Sequence, residues 1–257
     1  MIGQQELIKK IDSYTLKTLP HSILLIGDRG SEKDEICEYI SNKFNLSLFD
    51  ITELINEEYL NMIYDTPTLG LYVIDGTKIT EKEQNILLKF YEEPNRYMYV
   101  VIKCESKNGL LETIQTRSYD FMMDLYTRDQ LVPLCKPEIR DLELEVGSTP
   151  GMINELNHID LVALKTLCDN IVDKMKIASY QNTLTIADKL NYSDEYDKYP
   201  VWAFIRVLEY VMLNKKSELY WVLRKFNFYY DQMVYKKSFV ENVLTKLWLT
   251  SRGVYGH

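Results

Sequence analysis

A short apolar run, Ser22-Ile23-Leu24-Leu25-Ile26, passes directly into Gly27-Asp28-Arg29-Gly30, and a helical pattern begins at Ser31. No other feature narrows the fold as far. A continuous apolar run of this length is how a strand buried on both faces reads, and such strands belong to parallel sheets. The two glycines let the backbone turn sharply out of the strand. Similar runs follow at 46–49, 71–74, 98–102 and 119–123. Helical spacing fills the intervals at 31–44, with Ser31 as its expected N-cap, and at 81–92, which Pro94 closes. Leu7, Ile8 and Ile11 place an amphipathic helix at 6–14. Strand-helix units of this length predict a parallel sheet with right-handed crossovers.

After Asp124 the strand signals stop. Short helices are expected at 127–135, 138–146 and 150–157, and longer amphipathic ones at 160–176, 180–190, 201–215, 218–228 and 238–250, with a polar loop at 192–198. The expected organisation is an α/β domain over 1–126, a small helical lid over 127–159 and an all-α domain over 160–257. Charge divides along the same line. From Val201 onward nine lysines and arginines face four acids, a net +5 within a chain of −8, which leaves −13 before it. Such asymmetry suits domains with different partners. A net negative chain does not coat nucleic acid by itself. Aromatic residues are interleaved with the basic ones, among them Trp202, Phe204, Tyr210, Trp221, Phe226, Tyr229 and Trp248. Such residues can stack single-stranded bases, or they can form the core and interfaces of a helical domain. The helical spacing of Trp202, Arg206 and Tyr210 favours the second reading.

Cys37, Cys104, Cys135 and Cys168 are far apart, as are His21, His158 and His257. Neither metal-ligand spacing nor a disulfide framework is present. No apolar run reaches the roughly 20 residues of a membrane-spanning helix. Met1-Ile2-Gly3-Gln4-Gln5-Glu6 lacks the features of a secretory leader, so a cytoplasmic location is expected.

The chemistry concentrates in the loop after the first strand. Gly27-Asp28-Arg29-Gly30-Ser31-Glu32-Lys33-Asp34 follows the G-x-x-x-x-G-K-[ST] pattern at Gly27 and Lys33 only. In that pattern backbone N–H groups wrap phosphates, the lysine reaches the terminal phosphates and the hydroxyl holds Mg²⁺. Here Glu32 takes the place of the second glycine and Asp34 that of the hydroxyl. A side chain replaces the glycine, and three carboxylates (Asp28, Glu32, Asp34) would face a polyanion, each repelling it by an amount on the order of 1 kcal/mol. Further along, Leu71-Tyr72-Val73-Ile74-Asp75 ends a buried strand in a carboxylate suited to Mg²⁺, but Gly76 stands where an adjacent Glu would polarise water. Gly27, Lys33 and Asp75 are thus the candidate nucleotide-binding residues of an altered site. No nucleophile elbow or zinc-hydrolase motif occurs.

Several ordered segments resemble the clamp-loader AAA+ family, closest to its delta-prime type. They are Ile2-Gly3-Gln4-Gln5-Glu6-Leu7, Leu19-Pro20-His21-Ser22, Asn85-Ile86-Leu87-Leu88-Lys89-Phe90-Tyr91-Glu92-Glu93-Pro94, Leu110-Leu111-Glu112-Thr113-Ile114-Gln115-Thr116-Arg117-Ser118 and Gly147-Ser148-Thr149-Pro150-Gly151. The third resembles the family's highly specific Asn-x-Leu-Leu-Lys-x-x-Glu-Glu-Pro signature, and the fourth its Leu-Leu-x-Thr-Ile-x-Ser-Arg-Cys motif. The likeness spans about 1–157; the helical remainder matches the family's collar in kind and position.

The resemblance implies a P-loop NTPase-like AAA+ fold, a lid and a collar. It implies an accessory subunit without its own ATPase, because the loop, the acidic strand end, the sensor-1 position (Cys104) and the sensor-2 position (Met152) all depart from the hydrolysing pattern. It implies that Arg117 acts as an arginine finger on a neighbour's nucleotide, with ATP and Mg²⁺ at that neighbour's site and none held tightly here. The implied partners are loader ATPase subunits, a delta-like subunit, the sliding clamp and primer-template DNA. The family's four-cysteine zinc module is missing, and the chain is short for the family, which suits a phage or mobile-element replication system. Two alternatives stay open: an ATPase using a non-standard loop, and an interaction protein that kept the scaffold outside any clamp loader.

Overall fold

A computed structural model describes residues 2–65, 68–92, 95–175, 177, 179–189, 199–224 and 236–253. The chain divides into two compact units, residues 1–130 with 149–151, and residues 131–148 with 152–257. The stretch 127–159, expected as a lid, is therefore shared: 127–130 and 149–151 count with the first unit and the rest with the second.

In the first unit β1 (Ser22–Ile26), β2 (Ser47–Asp50), β3 (Gly70–Asp75), β4 (Met98–Cys104) and β5 (Tyr119–Met122) form one sheet in the order β2-β3-β4-β1-β5. Every neighbouring pair is parallel. All five strands fall on the apolar runs. Between them lie α1 (Gln5–Asp12), α2 (Lys33–Phe44), α3 (Glu57–Asp65), α4 (Glu81–Glu92) and α5 (Glu112–Arg117). The period-2 geometry of a strand sends alternate residues to opposite faces. Ile23, Leu25, Val73, Val101 and Phe121 accordingly join Leu7 and Ile11 of α1 and Ile36 and Ile40 of α2. Leu24, Ile26, Ile74 and Ile102 join Leu60 of α3, Leu87 of α4 and Ile114 of α5. Each such side chain, fully withdrawn from water, contributes roughly 1.5–3 kcal/mol. The crossover from β1 to β2 runs through α2 on one face, while those leading to β3 and β4 run through α3 and α4 on the other. The winding thus reverses beside β1, and in open α/β sheets ligands bind at the carboxyl end of such a reversal.

Two expectations change here. Ser31 does not cap α2: the cap position is Glu32, with no side-chain cap bond, and Ser31 is buried. The helices α3 and α5, each under ten residues, lie in stretches not expected to be helical. Short segments carry too few turns for their period to stand out.

The second unit is helical. It contains α7 (Arg140–Val146), most of α8 (Pro150–Asn157), α9 (Leu161–Lys174), α10 (Tyr180–Lys189), α11 (Val201–Asn214), α12 (Leu219–Arg224) and α13 (Lys236–Ser251), after α6 (Arg128–Leu131) at the junction of the units. The helix expected at 127–135 gives way to a 3₁₀ turn at Val132–Leu134, where Pro133 cannot continue an α-helix. Helix α9 packs on α11, and α10 and α12 pack on α13. Buried residues lie all round α11, as in a helix at the centre of a bundle. Residues 192–198 and 225–228 lie outside the described residues. Among the described residues no helix is long and apolar enough to cross a membrane.

Candidate functional site

The glycine-containing loop leaves β1 at its carboxyl end. The Gly27 N–H donates to Cys104 O at 3.0 Å, and a Cβ on Gly27 would lie 2.4 Å from Met123 Cγ, so packing requires glycine here. The carbonyls that follow are taken one after another. Lys33 Nζ donates to Gly27 O at 2.6 Å, to Asp28 O at 2.9 Å and to Ser31 Oγ at 3.3 Å. Thr149 Oγ1 donates to Arg29 O at 2.7 Å, the Gly151 N–H to Gly30 O at 2.9 Å and Tyr126 Oη to Ser31 O at 2.9 Å. Gly151 comes so close that a Cβ there would meet Gly30 Cα at 2.6 Å.

Glu32 has φ 61° and ψ 39°, the left-handed conformation that the motif's second glycine would adopt without strain. For a residue with a side chain that costs about 1 kcal/mol or more. Its Oε2 accepts the Ile2 N–H at 3.0 Å, which anchors the carboxylate at the amino end of α2. Asp34 and Glu35 occupy the first turn. A helix N-terminus attracts anions through its unpaired N–H groups and its dipole. Here three of the chain's own carboxylates already stand at that position. Burial lowers the Lys33 ammonium from its ordinary range.

Lys33, Asp34 and Asp75 line one open cleft of about 350 Å³ with Lys103 and Gly151. The expected nucleotide residues Gly27, Lys33 and Asp75 are therefore brought together. Asp75 ends β3, where its Oδ1 accepts the Thr77 N–H at 3.0 Å and Thr77 Oγ1 at 2.6 Å, and Lys78 Nζ stands 3.9 Å from its Oδ2. Lys103, paired in register with Asp75 across β3 and β4, donates from Nζ to Asp34 Oδ1 at 2.5 Å. Burial, the largest influence, would lower this lysine, but the bond to Asp34 and the charges of Asp34 and Asp50 together outweigh it, and Lys103 is raised above its ordinary range. A P-loop site holds Mg²⁺ through a hydroxyl and a strand-end carboxylate. The donor set here is different: a carboxylate engaged by one ammonium and a second with another ammonium beside it. Among the described residues no group of three or more His, Cys, Asp or Glu has metal-holding geometry.

Arg117 is the last residue of α5, just before β5 begins. Its Nη1 donates to Thr113 O at 3.4 Å and its Nη2 stands 3.7 Å from Glu92 Oε1 at the end of α4. The side chain is 41% exposed, on the rim of an open cleft with Tyr14, His21, Tyr91 and Tyr119. This is the amino end of the strands. The phosphate-type loop is at the carboxyl end, roughly 15 Å away along a five-residue strand at about 3.3 Å per residue.

With the geometry in place, known proteins can be compared. The family profile described as DNA polymerase III, delta subunit, matches residues 50–125, which run from the end of β2 through Asp75 and Arg117 to beyond β5. DNA polymerase III subunit gamma of Buchnera aphidicola subsp. Schizaphis graminum (strain Sg) is 23% identical over 171 residues, covering 53% of this chain and 47% of that protein. Over residues 50–125 this chain thus resembles the DNA polymerase III delta subunit family. It spans about half the length of the curated relative it matches. The crystal structure of a DNA polymerase III gamma subunit-related protein from Thermotoga maritima superposes with a TM-score of 0.52 at 17% identity, covering 97% of this chain and 100% of that one. The RuvB Holliday junction branch migration motor of Thermotoga maritima gives a TM-score of 0.52 at 14% identity, covering 98% of this chain and 88% of that one. At those identities the structures establish the fold.

Within this α/β unit, sequence reasoning missed Lys103. Its signal was available: a lysine directly after the apolar run Tyr99-Val100-Val101-Ile102, at the same strand-end level as Asp75. Cys104, which the resemblance sets at sensor 1, is buried, and its thiol is pushed up to about 11 by that burial. Met152 is buried as well. In the helical unit Trp202 and Phe204 are buried, and Trp202 Nε1 donates to Glu155 Oε2 at 2.8 Å. Arg252 lies over the Trp248 ring at 4.6 Å. Trp221 is 71% exposed. Phe226 and Tyr229 lie outside the described residues.

Proposed function

We propose that this chain is a clamp-loader-like AAA+ subunit with a delta-prime-like part in a DNA polymerase sliding-clamp loader: it does not hydrolyse ATP, it braces the assembly, and it presents Arg117 to the nucleotide of an adjacent ATPase subunit. One observation carries this reading. Arg117 and the chain's own loop lie at opposite ends of the sheet, so the guanidinium cannot serve the loop, while its exposure leaves it available in trans. A guanidinium placed on a transferring phosphoryl group neutralises developing charge and is worth about 10³–10⁵ in rate for arginine fingers. The loop supports the other half of the reading. Its carbonyls, its lysine and its helix N-terminus are engaged with the chain's own groups, and Glu32 adds bulk and charge where phosphate would approach.

The partners under this reading are loader ATPase subunits and a delta-like subunit. The clamp and primer-template DNA are contacted through the assembled ring, in the cytoplasm. The test is reconstitution with candidate loader ATPase subunits, with Arg117→Ala in place of the native chain. The assembly should form and its ATP turnover should fall by at least about 10²-fold, a threshold set one decade below the range for such residues. Unchanged turnover in an intact assembly would remove Arg117 from the role.

A further inference from the structure

The carboxyl-end corner holds a second device, independent of Arg117 and of any partner subunit. Asp34 comes from the first turn of α2, Asp50 ends β2 and Asp75 ends β3. Together with Glu53, Lys78 and Lys103 they line an open cleft of about 550 Å³. Asp34 and Asp75 stand at the two positions from which a P-loop protein shares one divalent ion. In this chain a protein ammonium is bonded to the first: Lys103 Nζ to Asp34 Oδ1 at 2.5 Å, with the lysine side chain only 12% exposed. The second already accepts from Thr77 and has Lys78 at 3.9 Å. Asp50 is committed to its own turn, accepting from the Thr52 N–H at 3.0 Å and from Thr52 Oγ1 at 2.7 Å.

We infer that Lys103 is a built-in replacement for the divalent cation, so that the corner is held together by an ammonium and rejects metal. A lysine ammonium is a compact point charge with three donors and can partner carboxylates that would otherwise repel one another. It is also tethered to β4, so it competes with a free ion at a fixed and high local concentration. A divalent ion entering between Asp34 and Asp75 would meet two positive charges and would have to displace a short charge-assisted bond, whose lysine is buried although Asp34 is 77% exposed.

Mn²⁺ alone is the probe, titrated onto the full chain and followed by the loss of its free-ion paramagnetic resonance signal. The native chain should show no saturable binding up to about 1 mM. Lys103→Met should bind Mn²⁺ at least about tenfold more tightly, adding Asp34→Asn should abolish the gain, and Lys103→Arg, which keeps the charge, should behave as the native chain does. Saturable binding by the native chain that Asp34→Asn removes would overturn the inference. So would a folded Lys103→Met chain with no gain. Should Lys103→Met not fold, as judged by circular dichroism, the native and Asp34→Asn titrations decide the matter alone. None of these outcomes depends on a partner's ATPase, so this inference and the arginine-finger role can fail separately.

Discussion

At the carboxyl ends of β1, β3 and β4, Lys33 and Lys103 are turned onto oxygens of the chain itself and Lys78 stands beside Asp75. At the amino end of the same sheet, Arg117 keeps 41% of its side chain in solvent, with a carbonyl at 3.4 Å and Glu92 at 3.7 Å as its partners among the described residues. An exposed ion pair of that kind is worth about 0–1 kcal/mol and is easily exchanged for a better partner. The bonds from Lys33 and Lys103 are shorter, 2.6 Å to Gly27 O and 2.5 Å to Asp34 Oδ1, and at that end each loop carbonyl has a donor. One sheet thus carries a closed end and an open end. Under the proposed role, the carboxyl end gives up nucleotide while the amino end acts on a neighbour, a division the sheet permits because its two ends share a core but no functional group.

Three experiments probe this contrast, from the largest expected effect to the smallest. Arg117→Ala should lower an assembled partner's turnover by at least about 10²-fold and leave the lone chain's melting temperature almost unchanged. A large loss of stability instead would make Arg117 a structural residue and erase the contrast. Gly151→Ala forces a Cβ to within 2.6 Å of Gly30 Cα. It should cost about 1–3 kcal/mol in denaturant unfolding, as overpacking does, and loosen the loop. No change would show that the closed end is not held from that side. The smallest effect concerns thiols. Burial pushes Cys37 up to about 12 and Cys104 up to about 11. Both should resist iodoacetamide at pH 8 in the native chain and react on unfolding, since only the thiolate attacks. Because these folded values are raised, the stability they contribute is complete below the ordinary thiol range, and it is lost as pH climbs towards 11–12. Cys104 accepts the Gly27 N–H through its carbonyl, so faster Cys104 alkylation in Gly151→Ala would report loop opening directly.

Much of the first unit was legible in the sequence. Continuous apolar runs marked β1, β3 and β4, which are buried along their length because both faces of the sheet centre are covered; the edge strands β2 and β5 are largely exposed and carry Asp50 and Asp120. The loop register, Gly27 with Lys33, placed the altered site, and the ordered segments around Asn85 and Arg117 pointed to the family. What escaped was long-range. That Thr149 and Gly151 would reach Arg29 and Gly30, some 120 residues earlier, is set by the fold and by no local pattern. Ser31 read as a helix cap because cap preference is a local rule, but the loop buries it and passes the cap position to Glu32. Lys103 escaped for the same reason: a lysine after an apolar run is ordinary, and it gains meaning only when β3 and β4 set it level with Asp75.

The most direct measurement for the whole account is equilibrium binding of labelled ATP with Mg²⁺ to the isolated full chain, alongside Lys33→Ala. The account predicts no saturable binding up to about 1 mM for either protein. Micromolar binding by the native chain that disappears in Lys33→Ala would contradict it, because the carboxyl end would then be an open nucleotide site after all.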